Sequence, residues 1–310
     1  MKATKTNKYG IRQSTGDVLF DVVITACVIL FTLVALYPLY FTVIASISEP
    51  VDVVRGNVVF LPSGFTLEAY QNVVKESSIW IGYRNSILYA LFGTLFNLAL
   101  TLPCAYALSC RELPGRRMLN LIFIFTMYFS GGLIPTYLLV KQLGLINTPY
   151  TLVILGGISI YNTIVTRTYF ENNIPGEIYE SASIDGANEF RSFFTIALPL
   201  ARPIIAVITL FYAVTHWNSY FNAYLYVTKT EYQPLQLALR SILLMNQGAT
   251  AALDPDALDA EMVQEMARRT YVAYSMKYAL IFIASAPLLI AYPFVQKHFV
   301  TGIMIGSVKG

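Results

Sequence analysis

Val22–Ser48 reads VVITACVILFTLVALYPLYFTVIASIS, with no charged residue and no helical or strand period in its apolar positions. About 20 such residues cross the ~30 Å hydrocarbon core of a bilayer as a helix, so this stretch is long enough to span one. Five more charge-free stretches follow: Asn85–Cys110, Met118–Val140, Gln142–Thr166, Pro203–Thr228 and Tyr278–Gln296. The last is the shortest and is expected to extend past Lys277 by snorkelling. Ser241–Leu253 is also uncharged but short and polar at Asn246-Gln247-Gly248, and reads as a loop.

The composition agrees. The 310 residues are 56% hydrophobic and 13% charged, against about 25% charged in a soluble domain, and the mean hydropathy is +0.57. So few charges cannot solvate a soluble exterior, and the expected fold is an all-α polytopic membrane protein. A net charge of +3, scattered along the chain, gives no nucleic-acid footprint. Cys27, Cys104 and Cys110 lie in or beside apolar stretches without pairing spacing, which suits small hydrophobes rather than a redox or metal device. Lys2, Lys5, Lys8 and Arg12 precede an apolar run too long for a signal peptide and without a small-x-small cleavage site, so Val22–Ser48 is expected to be retained as a span.

Lys and Arg beside the spans set orientation. With the N-terminus cytoplasmic, twelve basic residues flank the inner side and seven the outer, with Arg84 and Lys277 at boundaries. The short turn Leu113-Pro114-Gly115-Arg116-Arg117 strengthens the inner assignment. The expectation is six transmembrane helices, N-in and C-in. Residues 1–17 form a cytoplasmic segment and 18–310 the transmembrane domain, with outer loops at Glu49–Tyr83 and 229–271 and a cytoplasmic tail at 298–310. Within the second outer loop Ala257–Thr270 has opposite charges at helical spacing and suits a short surface helix. In the tail, Gly302, Gly306 and Gly310 are expected to break any long helix, leaving a bent apolar strip.

Residues 171–199 form the one inner segment that is more than a turn. Pro175 suits a helix start, and Glu177 and Glu180 lie in the first turns, where they favour the helix dipole. Asp185-Gly186 is a turn signal, and a second helix over Ala187–Ala197 is expected to end ahead of Pro199. The apolar face Ile178, Ala182, Phe190, Phe193 and Phe194 needs a partner surface.

This segment resembles the EAA loop of ABC-importer permeases, whose pattern is Glu-Ala-Ala, three residues, Gly, nine residues, Ile-x-Leu-Pro. Here Glu180-Ser181-Ala182, Gly186 and Ile196-Ala197-Leu198-Pro199 fill that frame, and only Ser181 departs. Tyr83-Arg84-Asn85-Ser86, Ala105-Tyr106-Ala107-Leu108-Ser109, Ile134-Pro135-Thr136-Tyr137, Asn147-Thr148-Pro149, Trp217-Asn218 and Gly306-Ser307-Val308-Lys309-Gly310 look like the carbohydrate-uptake branch, the six-span permease of maltose-type importers. The resemblance implies type I importer architecture in a bacterial cell membrane. It implies as partners a second homologous permease, two ATPase subunits that bind ATP and Mg, an extracytoplasmic solute-binding protein, and a sugar or oligosaccharide substrate within membrane lipid. It implies ATPase coupling through Glu180, Ser181, Ala182, Asp185, Gly186, Ala187, Ile196, Leu198 and Pro199, and a C-terminal tail running between the ATPase subunits.

No Gly here precedes Lys-Ser or Lys-Thr, so a P-loop is not expected, and no cofactor or metal is expected to be bound by this chain. No paired carboxylates or Ser/His/Asp set falls within the spans, so catalysis is not expected either. Polar groups at membrane depth are costly. Asn85, Asn97, Asn162, His216, Asn218 and Asn222, with Tyr89, Tyr128, Tyr161, Tyr212, Tyr220 and Tyr224, either bond helix to helix or line a glycan path. The densest group, His216, Trp217, Asn218, Tyr220, Asn222 and Tyr224, with Asn162 and Tyr128, is the candidate substrate path. The alternative function is a self-contained secondary transporter or channel for a small polar solute. The lack of Asp, Glu, Lys and Arg in the span centres disfavours ion coupling.

Overall fold

A computed structural model describes residues 14–251 and 260–306. Apart from one isolated bridge, Ser48 with Phe65, the described residues form helices and their connections. The chain divides into two units, Met1–Val73 with Ala249–Phe282, and Val74–Gly248 with Ile283–Gly310.

In the first unit α1 (Thr15–Ser46) starts at a capping box: Ser14 Oγ accepts the Asp17 N–H at 3.3 Å, and the Asp17 carboxylate accepts the Ser14 N–H at 2.9 Å. Pro38 lies inside the helix, and Thr42 Oγ1 donates to its carbonyl at 2.9 Å. Large apolar side chains from Leu19 to Leu39 are exposed, as suits a helix surrounded by hydrocarbon. Burial begins at its end, where Ile44 and Ala45 meet Val53 and Val58, with Phe41 and Tyr278 packed against them. α2 (Pro50–Arg55) and α3 (Glu68–Lys75) follow. Between them the Asp52 carboxylate accepts from the Ser63 hydroxyl and, at 3.0 Å, from the Asn57 amide. These bonds favour the ionised form and hold Asp52 below the usual carboxylate range.

The second unit is arranged along α4 (Ser77–Ser109), which packs against α8 (Ile160–Asn173) and α12 (Arg202–Trp217). Every fourth position of α4 from Asn85, namely Tyr89, Gly93, Asn97, Thr101 and Ala105, is buried. Positions four apart share a helix face, so these residues form one polar, small-residue ridge down the side that meets its neighbours.

Helix geometry departs from the expected spans in several places. Among the described residues three helices are long and apolar enough to cross a membrane, Gly16–Ser46, Ser77–Ser109 and Thr270–Pro293, or up to five if each of two bent pairs is one span. Met118–Val140 is not straight. It divides into α5 (Arg116–Tyr128) and α6 (Leu133–Gln142), bent by 107°, because Gly131-Gly132 interrupts the helix and Gly132 takes φ +85°. Gln142–Thr166 divides into α7 (Tyr150–Ile154) and α8, with an unwound stretch where Gly156 takes φ +76°. Pro203–Thr228 becomes α12 and α13 (Tyr220–Tyr226), separated at Asn218-Ser219.

The segment expected as a loop at Ser241–Leu253 is helical through Ala251, in α14 (Leu235–Ala251), and 252–259 lies outside the described residues. The expected short surface helix is instead continuous with the last span in α15 (Ala260–Gly306). That helix passes through Gly302, so no bent strip begins there. A lone glycine costs a helix only about 1 kcal/mol, which neighbouring apolar turns outweigh. Residues 307–310 of the expected tail, and 1–13 of the N-terminal segment, lie outside the described residues.

Candidate functional site

Two parts of the second unit collect the candidate residues. The first is the bent inner segment. Pro175 precedes α9 (Gly176–Ile184), and the helix closes with Asp185 N–H to Ser181 O at 3.0 Å and Ala187 N–H to Ala182 O at 2.9 Å. Gly186 sits between these bonds at φ +79°, a conformation a side chain resists. The second helix, α10 (Glu189–Ser192), starts later than the expected Ala187, because Asn188 Oδ1 caps it by accepting the Arg191 N–H at 2.9 Å.

Nor does the helix stop ahead of Pro199. A π-turn over Phe193–Ala197 sends the Leu198 N–H to the Phe193 carbonyl, and α11 (Leu198–Leu200) then carries Pro199 in its first turn. The wider turn shifts the hydrogen-bond register, so the proline ring sits where its missing donor costs little. The chain then breaks at Ala201 and turns by 82° into α12.

Part of the expected apolar face points into the chain's own core. Ala182 and Phe193 are buried, and Phe193 clusters with Ala105, Tyr106, Phe170 and Ile174. The Tyr106 ring lies 5.2 Å from Phe193 and 5.9 Å from Phe170, and its hydroxyl donates to Glu189 Oε2 at 3.0 Å. That bond ties the start of α10 to the end of α4. Burial pushes the neighbouring Tyr179 phenol up to about 12, so it stays neutral. The most exposed apolar residues are Ile184 (86%), Phe190 (76%) and Phe194 (62%); the expected Ile178 is exposed too, while Ile184 was not among those expected. Glu180, Ser181, Asp185, Gly186 and Pro199 are exposed beside them, while Ala187, Ile196 and Leu198 are half-buried. Behind the segment Glu171 receives both Arg116 and, at 3.5 Å, Arg167, while Arg116 Nε donates to the Leu108 carbonyl at 2.7 Å. Two charges that served only to orient the chain thus also clamp α4, α5 and α8 together.

The second part is a cavity of about 340 Å³, toward the low end for small-molecule sites. Asn97, Ser159, Asn162, Tyr212, Thr215, His216, Asn218, Ser219, Tyr220 and Asn222 line it, with Leu152, Leu155, Gly156 and Phe221. Its wall follows from the α4 ridge. Asn97 Nδ2 donates to the carbonyls of Gly156 (3.0 Å) and Gly157 (2.8 Å), and its Oδ1 lies 2.6 Å from His216 Nε2. The carbonyls freed by the unwound stretch are thereby satisfied away from solvent, which is what permits irregular backbone there. One turn on, Thr101 Oγ1 meets Tyr212 Oη at 2.7 Å, and the Ser159 N–H donates to the same phenol at 3.2 Å. One turn back, Gly93 leaves the space His216 occupies; a Cβ there would come 2.4 Å from the imidazole. Farther back, Tyr89 donates to the Tyr232 carbonyl at 2.8 Å, and Asn85 to those of Glu231 and Gln233.

Of the expected path residues, Asn162, His216, Asn218, Tyr220 and Asn222 meet in this cavity. Trp217 does not. It is buried on the other side of α12, where its indole N–H donates to the Ala284 carbonyl at 3.1 Å beside Tyr83. Tyr224 is exposed and stacked on Tyr220, and Tyr128, 74% exposed at the end of α5, lies apart from the cavity. Sequence reasoning named no role for Ser159, Thr215 or Ser219, since hydroxyls are common in membrane helices. Amides, hydroxyls and aromatic faces without a lining charge suit a polyhydroxylated solute.

The profile of the family described as binding-protein-dependent transport system inner membrane component matches residues 77–305, from the first residue of α4 into the last turn of α15. The chain belongs to this family. It is 37% identical over 292 residues to the polygalacturonan/rhamnogalacturonan transport system permease protein YtcP of Bacillus subtilis, covering 94% of this chain and 99% of that one. To the galactooligosaccharides transport system permease protein GanQ of the same organism it is 27% identical over 284 residues, 89% of this chain and 91% of the other. Among solved structures, a chain from the crystal structure of a bacterial ABC transporter involved in the import of the acidic polysaccharide alginate matches with TM-score 0.82 and 33% identity, covering 93% of this chain and 99% of that one.

Proposed function

We propose that this chain is one of two permeases in an ATP-driven importer of a sugar or oligosaccharide, with six spans and both termini in the cytoplasm. In this reading the partner permease completes the translocation path and a solute-binding protein delivers substrate outside. Two separate ATPase subunits bind ATP and Mg and hydrolyse the nucleotide. Residues 142–166 count as one crossing although unwound at Gly156, and with 118–140 and 203–228 they make three unwound or bent crossings, which suit a chain whose irregular backbone lines a polar cavity.

The carrying observation is the construction of residues 176–200. Ile184, Phe190 and Phe194 are exposed on a sharply bent helical segment whose other face is fixed to α4 through Tyr106 and Glu189. An apolar surface held outside the spans calls for a protein partner, and its attachment gives that partner's movement a rigid route into α4. Movement of α4 shifts Asn97 and Thr101, hence His216, Tyr212 and the cavity wall. Two packed arrangements of this ridge would serve alternating access. The saccharide assignment rests on the uncharged amide, hydroxyl and aromatic lining and on the substrates named for the relatives. Purification of this chain through a tag from its native cells tests the reading. Co-purified ATPase whose hydrolysis is stimulated by a saccharide-loaded binding protein is expected; a lone chain that transports solute without ATP overturns it.

A further inference from the structure

We propose that Arg240, supported on the Tyr220–Tyr224 pair, is a recognition element for the carboxylate of uronate-bearing saccharides, an inference that rests on the saccharide-permease reading. α14 places the Arg240 guanidinium carbon 5.2 Å from the centre of the Tyr220 ring and 4.9 Å from that of Tyr224. The two rings are stacked on each other, 6.1 Å apart and inclined by 22°. Tyr220 is also a wall of the polar cavity, and Tyr224 is 55% exposed. Tyr220 therefore borders both the uncharged cavity and the cation, which is not itself one of the lining residues.

Arg240 is not one of the arginines in the described ion pairs. Arg116 and Arg167 share Glu171, and Arg268 meets Glu68 at 3.5 Å. Among the described residues Arg240 has no carboxylate within ion-pair distance, and its described contacts are the two rings. A guanidinium attracted to aromatic rings keeps its N–H fork for a second partner, and that fork matches a carboxylate in two parallel bonds. No acidic side chain lines the cavity, so nothing there repels an anion. A neutral sugar would use the cavity's amides and hydroxyls and leave the cation idle. A uronate offers both an apolar sugar face for tyrosine and a carboxylate for arginine. Polygalacturonan and alginate, named for two of the similar proteins, are both acidic.

The test measures uptake by cells carrying the complete transporter of two acidic trimers, trigalacturonate and trimannuronate, and of their methyl-esterified, neutral counterparts. The readout is the acid-to-ester ratio, which does not depend on how much complex assembles. Wild type is expected to prefer an acid; Arg240→Gln should lower the ratio about tenfold or more, as loss of a charge-assisted pair implies, and Arg240→Lys, which keeps the charge but loses the fork, should fall between the two. Tyr224→Leu, at an exposed position, should lower the same ratio by loosening the guanidinium. An unchanged ratio in Arg240→Gln overturns the inference, as does wild-type uptake of an ester alone, and either leaves the saccharide-permease reading standing. Uptake of no trimer by assembled wild-type complex, with no saccharide stimulating its ATPase, overturns both.

Discussion

Gly93 and Asn97 occupy successive turns of α4 and face the same imidazole, one by leaving space and the other by bonding to it. Gly93→Ala puts a methyl carbon at 2.4 Å from His216, so the ring must leave Asn97 or α12 must move. The expected cost is about 1–3 kcal/mol of stability, seen as a lower melting temperature of the purified complex, with slower uptake. Asn97→Leu should cost more, because it strands the carbonyls of Gly156 and Gly157 at about 1–3 kcal/mol each. Melting and uptake equal to wild type in Asn97→Leu would mean that the unwound stretch has another support. Asp52 carries a pH prediction. Its lowered pKa means that its hydrogen bonds favour the fold above the unfolded value of 3.8, and that this contribution is lost as pH falls through the depressed one. Protease susceptibility of the Glu49–Leu67 loop should stay flat down to about pH 4, and Asp52→Asn should raise it at neutral pH.

The bent helical pair depends on Gly186 for backbone shape rather than for space, since a Cβ built there meets nothing within 4 Å. Gly186→Asn should therefore keep much of the uptake, because asparagine tolerates the left-handed region, while Gly186→Val should abolish it in a correctly inserted chain. Equal uptake by the two variants would show that this turn is not a coupling requirement. The exposed side of the pair makes a separate prediction: Ile184→Asp should lower the yield of co-purified ATPase at least tenfold, whereas Tyr106→Phe should keep the ATPase bound but weaken substrate stimulation of hydrolysis. The Glu-x-Ala, Gly and Ile-x-Leu-Pro frame was legible because spacing along a short bent segment is local. Which face turned inward was not. Phe193 is as apolar as Phe190, and what separates them is the position of Tyr106, far earlier in the chain.

For the whole chain the prediction is topological. In a variant lacking Cys27, Cys104 and Cys110, a cysteine replacing Ser63 should react with a membrane-impermeant maleimide on intact cells, and one replacing Ser183 only after permeabilisation. Both side chains lie outside the six stretches, and Ser183 is exposed. Labelling of both on intact cells would overturn the N-in, C-in arrangement.

Membrane insertion and helical class follow from composition and run length alone, because hydrocarbon offers the backbone no hydrogen bonds and only helices or closed barrels satisfy it there. The limit lies where an apolar run contains its own breaks. Gly131-Gly132, Gly156-Gly157 and Asn218-Ser219 sit inside stretches hydrophobic enough to read as straight spans, and glycine in a helix costs too little to announce an unwound turn. The break at Gly156 persists because Asn97, on a helix some 60 residues away, accepts the role of partner to the freed carbonyls. Pro199 shows the converse: a residue that should end a helix stays within one once a π-turn changes the register. Local chemistry limits the options at each of these positions, and packing against α4 selects among them, because a buried polar group is stable only where a distant residue supplies its hydrogen bond.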